Sequence, residues 1–400
     1  MTSRPFRLLL ASRAASALAT GLASVVILWV ASPSGPAALA LIGLAMTLPR
    51  LAALVAGVLI DRMDRRRLLA LVEGGRGLTA LALARAAWLP HPPLVVLAGS
   101  TALLALGSSL FGPLVSAWMP QVVPPAELTA ANGLQQGVWQ GASLAGYVAG
   151  GGALVLLGAG GGLMAAAALL AAALALALAV PRAGGRPAPA DTSFAHEAAA
   201  GLHAVAKHPA LRVLVPAALV FNLLFAPLTV GLVLLARQWH LGPTGYVALE
   251  GAWAAGNLAG GVAASRWRLL PADLARYAVL GGLPLVAGGM LGWPPAALAA
   301  LLAAGIGNLL LNASALTLVQ QSTPPELRGR VLGVLFALMG AAAPLGIALW
   351  GLAARLLPSA AVLVIPGTAS LLAALLAAMP AGRRILEVGP AAGPSPPPSS

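Results

Sequence analysis

Cysteine is absent from the 400 residues, which excludes disulfide frameworks, zinc-thiolate sites, iron-sulfur clusters and thiol catalysis. Charge is also scarce. Only 8% of residues are charged, with 10 acidic against 23 basic, where a soluble globule carries about a quarter. No Walker A run is present, so the chain is not expected to draw on ATP directly. His91, His196, His203, His208 and His240 lie mostly in expected loops or a linker and form no ligand pattern. The sequence therefore gives no reason to expect an enzyme, a metal site or a cofactor. What it has instead is apolar surface: 60% hydrophobic residues and a mean hydropathy of +0.92. Twelve membrane helices of about 20 residues would use roughly 240 residues, leaving short loops, one central linker and a tail.

The apolar runs fall at 8–32, 37–60, 68–89, 94–119, 131–157 and 161–180, and again at 211–239, 246–268, 274–293, 296–319, 331–357 and 360–379. The first is too long for the core of a cleaved signal peptide and reads as a retained helix. Segments assigned to one side of the membrane hold seventeen of the 23 basic residues, among them Arg4, Arg62, Arg65, Arg66, Arg67, Lys207 and Arg330. This asymmetry predicts a multi-pass protein of the inner (cytoplasmic) membrane with both termini cytoplasmic and an even number of spans. Net charge +13 is then read as contact with anionic inner-leaflet lipid, not with nucleic acid. The expected organisation is a six-helix bundle over 1–180, a cytoplasmic linker with a short amphipathic helix over 181–210, a second six-helix bundle over 211–381, and a disordered tail over 382–400. A monomer is the expected functional state.

A repeat supports two related halves. PQVVPPAELTAANGL begins at Pro120 and QQSTPPELRGRVLGV at Gln320, so matching Pro-Pro and Glu-Leu elements follow corresponding runs about half a chain apart. The segment GVLIDRMDRRR, from Gly57 to Arg67, joins the second run to the third. Together with AANG at Ala130 to Gly133 and PLG at Pro344 to Gly346, it resembles the major facilitator superfamily, particularly its drug and siderophore exporter-like branch, over roughly residues 5–380. Gly57, Asp61, Arg62, Arg66 and Arg67 match the superfamily's inner-loop signature, with Asp64 at its usual glycine position. The fifth run resembles a worn antiporter signature: Gly133, Gly146, Gly150 and Gly151 keep its spacing, while Ala142 and Tyr147 stand where it has glycine and proline. The resemblance implies an all-α polytopic fold of twelve helices in two pseudo-symmetric bundles. It gives Gly57, Asp61, Arg62, Arg66 and Arg67 a gating role in addition to topology anchoring, the alternative being topology anchoring alone.

Polar residues inside apolar runs mark the expected cavity. Glu250, Trp253 and Asn257 recur at i, i+3 and i+7, placing a protonatable carboxyl, an aromatic surface and an amide on one helix face. Glu250 either carries coupling protons or pairs with Arg237 as a structural group. Arg50 lies about 15 Å from the inner end of its run by helical rise and either pairs locally or takes part in coupling. Gln136, Gln140, Ser143 and Tyr147 form a second polar face, Asn308 and Asn312 an i,i+4 pair, and Asn222 lies between Phe221 and Phe225. These groups either line a substrate cavity or hydrogen-bond between helices. Glu73 is expected to pair with Arg76 one turn later, with Arg13 and Arg76 shallow on the inner side.

The expected function is secondary active transport of a hydrophobic or amphipathic organic solute, outward and coupled to protons. The alternatives are a lipid or solute transporter of opposite direction or without proton coupling, and a non-transporting receptor or scaffold. Asp61→Asn and Arg66→Ala should slow conformational exchange while leaving equilibrium ligand binding near wild type, because a gate residue governs geometry without lining the pocket. Unchanged exchange and flux in both correctly inserted variants would remove the latch.

Overall fold

The computed structural model describes residues 3–49, 64–124, 127–181, 203, 205–207, 209–266, 273–323, 328–354 and 356–379. Among them there is no strand. Eleven α-helices are present: α1 (Arg4–Ala31), α2 (Pro36–Thr47), α3 (Arg65–Ala87), α4 (Leu94–Val122), α5 (Leu128–Ala179), α6 (Pro209–Gln238), α7 (Gly242–Arg266), α8 (Leu274–Leu291), α9 (Pro294–Gln321), α10 (Arg328–Ala353) and α11 (Ala361–Ala378). α5 is two limbs joined at Gly158, where φ 70° and ψ 179° form a break that a side chain would oppose. The expected gap between the fifth and sixth runs falls on this residue. The described chain is an all-α, membrane-embedded, multi-pass protein, and seven of its helical stretches are each long and apolar enough to cross a bilayer. α3 is not among those seven, because Arg65, Arg66, Arg67, Glu73, Arg76 and Arg85 interrupt it.

Local chemistry explains the helix ends. Asp64 caps α3, its Oδ1 accepting from the Arg67 amide at 2.8 Å, so the residue at the family's usual glycine position starts the helix. Arg66 donates to the Leu178 carbonyl near the end of α5, where unpaired carbonyls gather. Proline interrupts α6 at Pro216 and Pro227, α8 at Pro284, α10 at Pro344 and α11 at Pro366. Pro227 frees the Leu223 carbonyl, and Gly346 of α10 presents its bare Cα to that oxygen, since a Cβ there would sit 2.2 Å from it. Large apolar side chains such as Leu156, Leu352 and Leu356 stay exposed, as hydrocarbon solvent permits.

The described residues pack as two compact units. The first takes residues up to 181 with 229–254 and 347–359; the second takes 203–228, 255–346 and 360–379. In the first unit α1 lies directly on α5. A Cβ on Gly146 would stand 2.3 Å from the Leu18 carbonyl, one on Gly150 2.7 Å from the Leu22 carbonyl, and one on Gly21 2.5 Å from the Ser143 carbonyl. The antiporter-like glycines Gly146 and Gly150 thus serve close helix packing, and Ser12 adds a 2.9 Å hydrogen bond to the Ala173 carbonyl. Toward the start of α1, a core of Phe6, Leu9, Leu69, Phe111, Leu114 and Trp118 is closed to solvent. In the second unit Leu211, Val215, Val319, Val331 and Leu335 form one core, against which Val205 packs, and Leu274, Ala278, Leu311, Leu318 and Ala374 another.

The seam predicts a sharp positional contrast. Gly146→Ala should destabilise the protein by about 1–3 kcal/mol, because its methyl would meet backbone, which does not yield. Gly152→Ala on the same helix, where nothing lies within 4 Å, should be neutral. Apparent unfolding midpoints of the two purified variants test this, and equal midpoints would show that the seam is not tight.

Candidate functional site

The second unit contains an apolar cavity of about 270 Å³. Phe221, Leu311, Ala315, Leu335 and Met339 supply much of its wall, and among the described residues its polar side chains are Asn222 and Asn312. The Asn222 amide is turned back on its own helix, donating to the Ala218 carbonyl at 2.9 Å. Phe225 stacks on Phe221 with ring centroids 4.9 Å apart. Asn312 donates to the Asn308 carbonyl at 2.8 Å and to Asn308 Oδ1 at 3.0 Å, and Asn308 in turn reaches Asn257 Oδ1 at 3.4 Å. Three of the expected cavity residues, on α7 and α9, therefore form one amide ladder that ends at the cavity wall. Such a ladder orients Asn312 while leaving the wall largely greasy, the lining of a site for a solute with one or two polar groups.

Glu250 and Trp253 belong to the first unit. Trp29 of α1 stacks on Tyr246 of α7 at 5.9 Å and 19° between planes, and the Arg237 guanidinium lies 3.9 Å from the centre of the Trp29 ring. Arg237 Nε also donates to Ser32 Oγ at 2.9 Å. Among the described residues Arg237 thus forms no ion pair with Glu250; the aromatic face of Trp29 takes that place. Tyr246 is fully buried, and its hydroxyl lies close enough to feel the Glu250 carboxyl one turn on and the Tyr147 phenol of α5, short of a formed hydrogen bond. Gly151 of α5 packs against Val247, holding that contact together. Gln136 and Gln140 are exposed on α5.

A third group lies deeper along the first unit's helices. Glu73 Oε1 accepts from Arg76 at 2.8 Å and from Ser16 at 3.1 Å, and Arg76 also donates to Thr20 at 2.6 Å. The expected pair between Glu73 and Arg76 is formed, but not at a shallow position. Arg76 is the midpoint residue of α3, both side chains are sealed from solvent, and Gly107 of α4 makes room for the arginine stem.

A family model described as the Major Facilitator Superfamily matches residues 8–347. The chain belongs to this superfamily. The uncharacterized MFS-type transporter y4rN of Sinorhizobium fredii (strain NBRC 101917 / NGR234) is 29% identical over 343 residues, covering 80% of each chain. Two solved structures share the fold at low identity. A peptide transporter of the POT type, in complex with sulfate, superposes with a TM-score of 0.71 at 14% identity, covering 97% of this chain and 96% of its own. The nucleoside transporter NupG does so at 0.70 and 12%, covering 95% and 99%. Superfamily members are membrane transporters, and this one is not an enzyme.

Of the superfamily's inner-loop signature, Arg66 and Arg67 are described, while Gly57, Asp61 and Arg62 lie outside the described residues, as does Arg50. The sequence reading missed the Trp29, Tyr246 and Arg237 stack, because three residues on three helices leave no linear spacing to detect. It also missed Phe221, Leu311 and Met339 as cavity wall, since apolar residues carry no mark in so apolar a chain. Filling the cavity tests it. Ala315→Phe should weaken binding of the neutral apolar dye N-phenyl-1-naphthylamine by about tenfold, read by equilibrium titration, whereas Gly152→Ala should not change it.

Proposed function

We propose that this transporter moves an amphipathic organic solute outward by alternating access, driven by inward proton movement. The single observation that carries the solute class is the greasy cavity whose polar lining, among the described residues, is Asn222 and Asn312. A small ion or a phosphorylated sugar would need fixed charge there, and the described wall shows none. In this reading two six-helix halves, 1–180 and 211–381, exchange contacts around the solute, with Asp61, Arg62, Arg66 and Arg67 latching the inner gate. The same-fold proteins named above are a peptide transporter and a nucleoside transporter, so organic cargo lies within the range of the architecture.

Glu250 is the proposed proton carrier. Its carboxyl stands beside buried Tyr246 without a cation bound to it among the described residues, so protonation changes its charge without first breaking an ion pair. Neutralising it permits one conformational passage, and release of the proton on the other side favours the return. Glu250→Gln should retain solute binding and downhill exchange but lose pH-gradient-driven accumulation. Paired proton and solute flux in liposomes, using a panel of lipophilic compounds, measures both. Coupled flux at wild-type levels in E250Q would eliminate Glu250 as the carrier, and no movement of any compound would count against transport itself.

A further inference from the structure

The helices that surround Arg13 hold more positive charge than they neutralise. Glu73 is the only acidic residue on α1, α3, α4 and α5, and it is bound to Arg76 at 2.8 Å. Arg13 lies nine residues into α1, about 14 Å from its start by helical rise. It is 8% exposed. No carboxylate among the described residues lies within ion-pair distance of it; its guanidinium is instead flanked by Phe111 of α4, 4.8 Å to the ring centre, and Trp139 of α5, 5.4 Å. Its Nε is sealed without an acceptor. The Nη nitrogens donate no hydrogen bond within the described residues, and Gly112, with no side chain, leaves space beside one of them. A buried guanidinium with unbonded donors beside two aromatic rings is suited to receive an anion, because ring quadrupoles ease its desolvation but do not neutralise it. Its planar fork matches a carboxylate in two parallel hydrogen bonds, and the indole and phenyl faces suit an apolar body behind that head group.

We propose that Arg13 is the binding site for the carboxylate of an aromatic or otherwise apolar organic acid, and that such monoanions are the solute class this protein recognises. Carriage of the acid rests on the transport reading above; binding does not. Arg76 has no comparable vacancy, since Glu73, Ser16 and Thr20 occupy its Nη donors.

The test uses the full-length protein in phosphatidylcholine nanodiscs and two probes matched in size, 4-phenylbutyrate and its neutral amide. Wild type should bind the carboxylate at least about tenfold more tightly than the amide, the scale of a charge-assisted bidentate contact. Arg13→Gln should erase that preference while leaving amide affinity unchanged. Arg13→Lys, which keeps the charge without the fork, should retain a reduced preference, and serves if the glutamine variant inserts poorly. Equal wild-type affinities, or a full preference surviving in R13Q, would overturn the site. Competition by added phosphatidylglycerol that R13Q abolishes would assign the position to a lipid headgroup and overturn the solute class. Flux of both probes in liposomes separates the two readings: binding without movement sinks transport and leaves Arg13 standing, whereas movement of the amide alone sinks Arg13 and leaves transport standing.

Discussion

Between α1 and α5 the first unit is held by backbone meeting backbone. Lipid tails are as apolar as leucine, so burying leucine between helices gains little inside a bilayer; close van der Waals contact and polar groups must supply the attraction. Gly21, Gly146 and Gly150 provide it by removing the side chains that would keep the two helices apart. Each faces a carbonyl of the other helix, so the contact cannot loosen gradually as a side-chain interface can. Two polar contacts of this unit depend on that proximity. Ser12 reaches α5 from α1, and Trp139 of α5 stands over an arginine of α1, only because the two backbones have closed.

Within that tight frame the distribution of charge follows cost. The second unit keeps Arg212, Arg266 and Arg276 near helix ends, where water or headgroups can solvate them. In the first unit Arg13, Glu73 and Arg76 lie well inside their helices, and Glu250 sits eight residues into α7. Desolvation of such groups is expensive, so each requires a partner or a purpose. Glu73 and Arg76 satisfy one another with help from two hydroxyls. Arg237, nearer the end of α6, is accommodated by an indole face and a serine. In a chain with only 4% aromatic residues, Trp29, Phe111 and Trp139 each stand beside an arginine.

The fold was legible in the sequence because its determinants are local in the chain. Run lengths, the proline pairs and the break near Gly158 are marks that periodicity and turn chemistry expose directly, whereas the capping role of Asp64 emerges only from its hydrogen bond to the Arg67 amide. The superfamily membership was legible for the same reason, through contiguous motifs. The amide residues on α7 and α9 were visible as unusual groups, but spacing could not tell a cavity wall from an inter-helix ladder; Asn308 and Asn257 turn out to hold the ladder and Asn312 to touch both. What remained hidden was three-dimensional pairing. That Arg237 lies on Trp29 and not beside Glu250 depends on the rotation of α1 and α6 about their axes, which a few residues of uncertainty at a helix boundary would scramble.

The two units also differ in what their chemistry can respond to. The amide ladder and greasy cavity of the second show, among the described residues, no titratable group that protonation could alter, so a solute there would be recognised by shape and by one or two hydrogen bonds. The first holds Glu250 close to the Tyr246 phenol and an arginine beside aromatic rings, groups whose interactions change with the charge of what is bound. A conformational equilibrium can be biased only by a ligand that interacts differently with its two states. A neutral wall discriminates weakly between them, whereas a desolvated charge discriminates strongly, since its energy depends steeply on the distance to its counter-charge. On the function proposed above, the electrostatic drive would therefore belong to the unit built on the α1 and α5 seam, and the accommodation of apolar volume to the unit that contains the cavity.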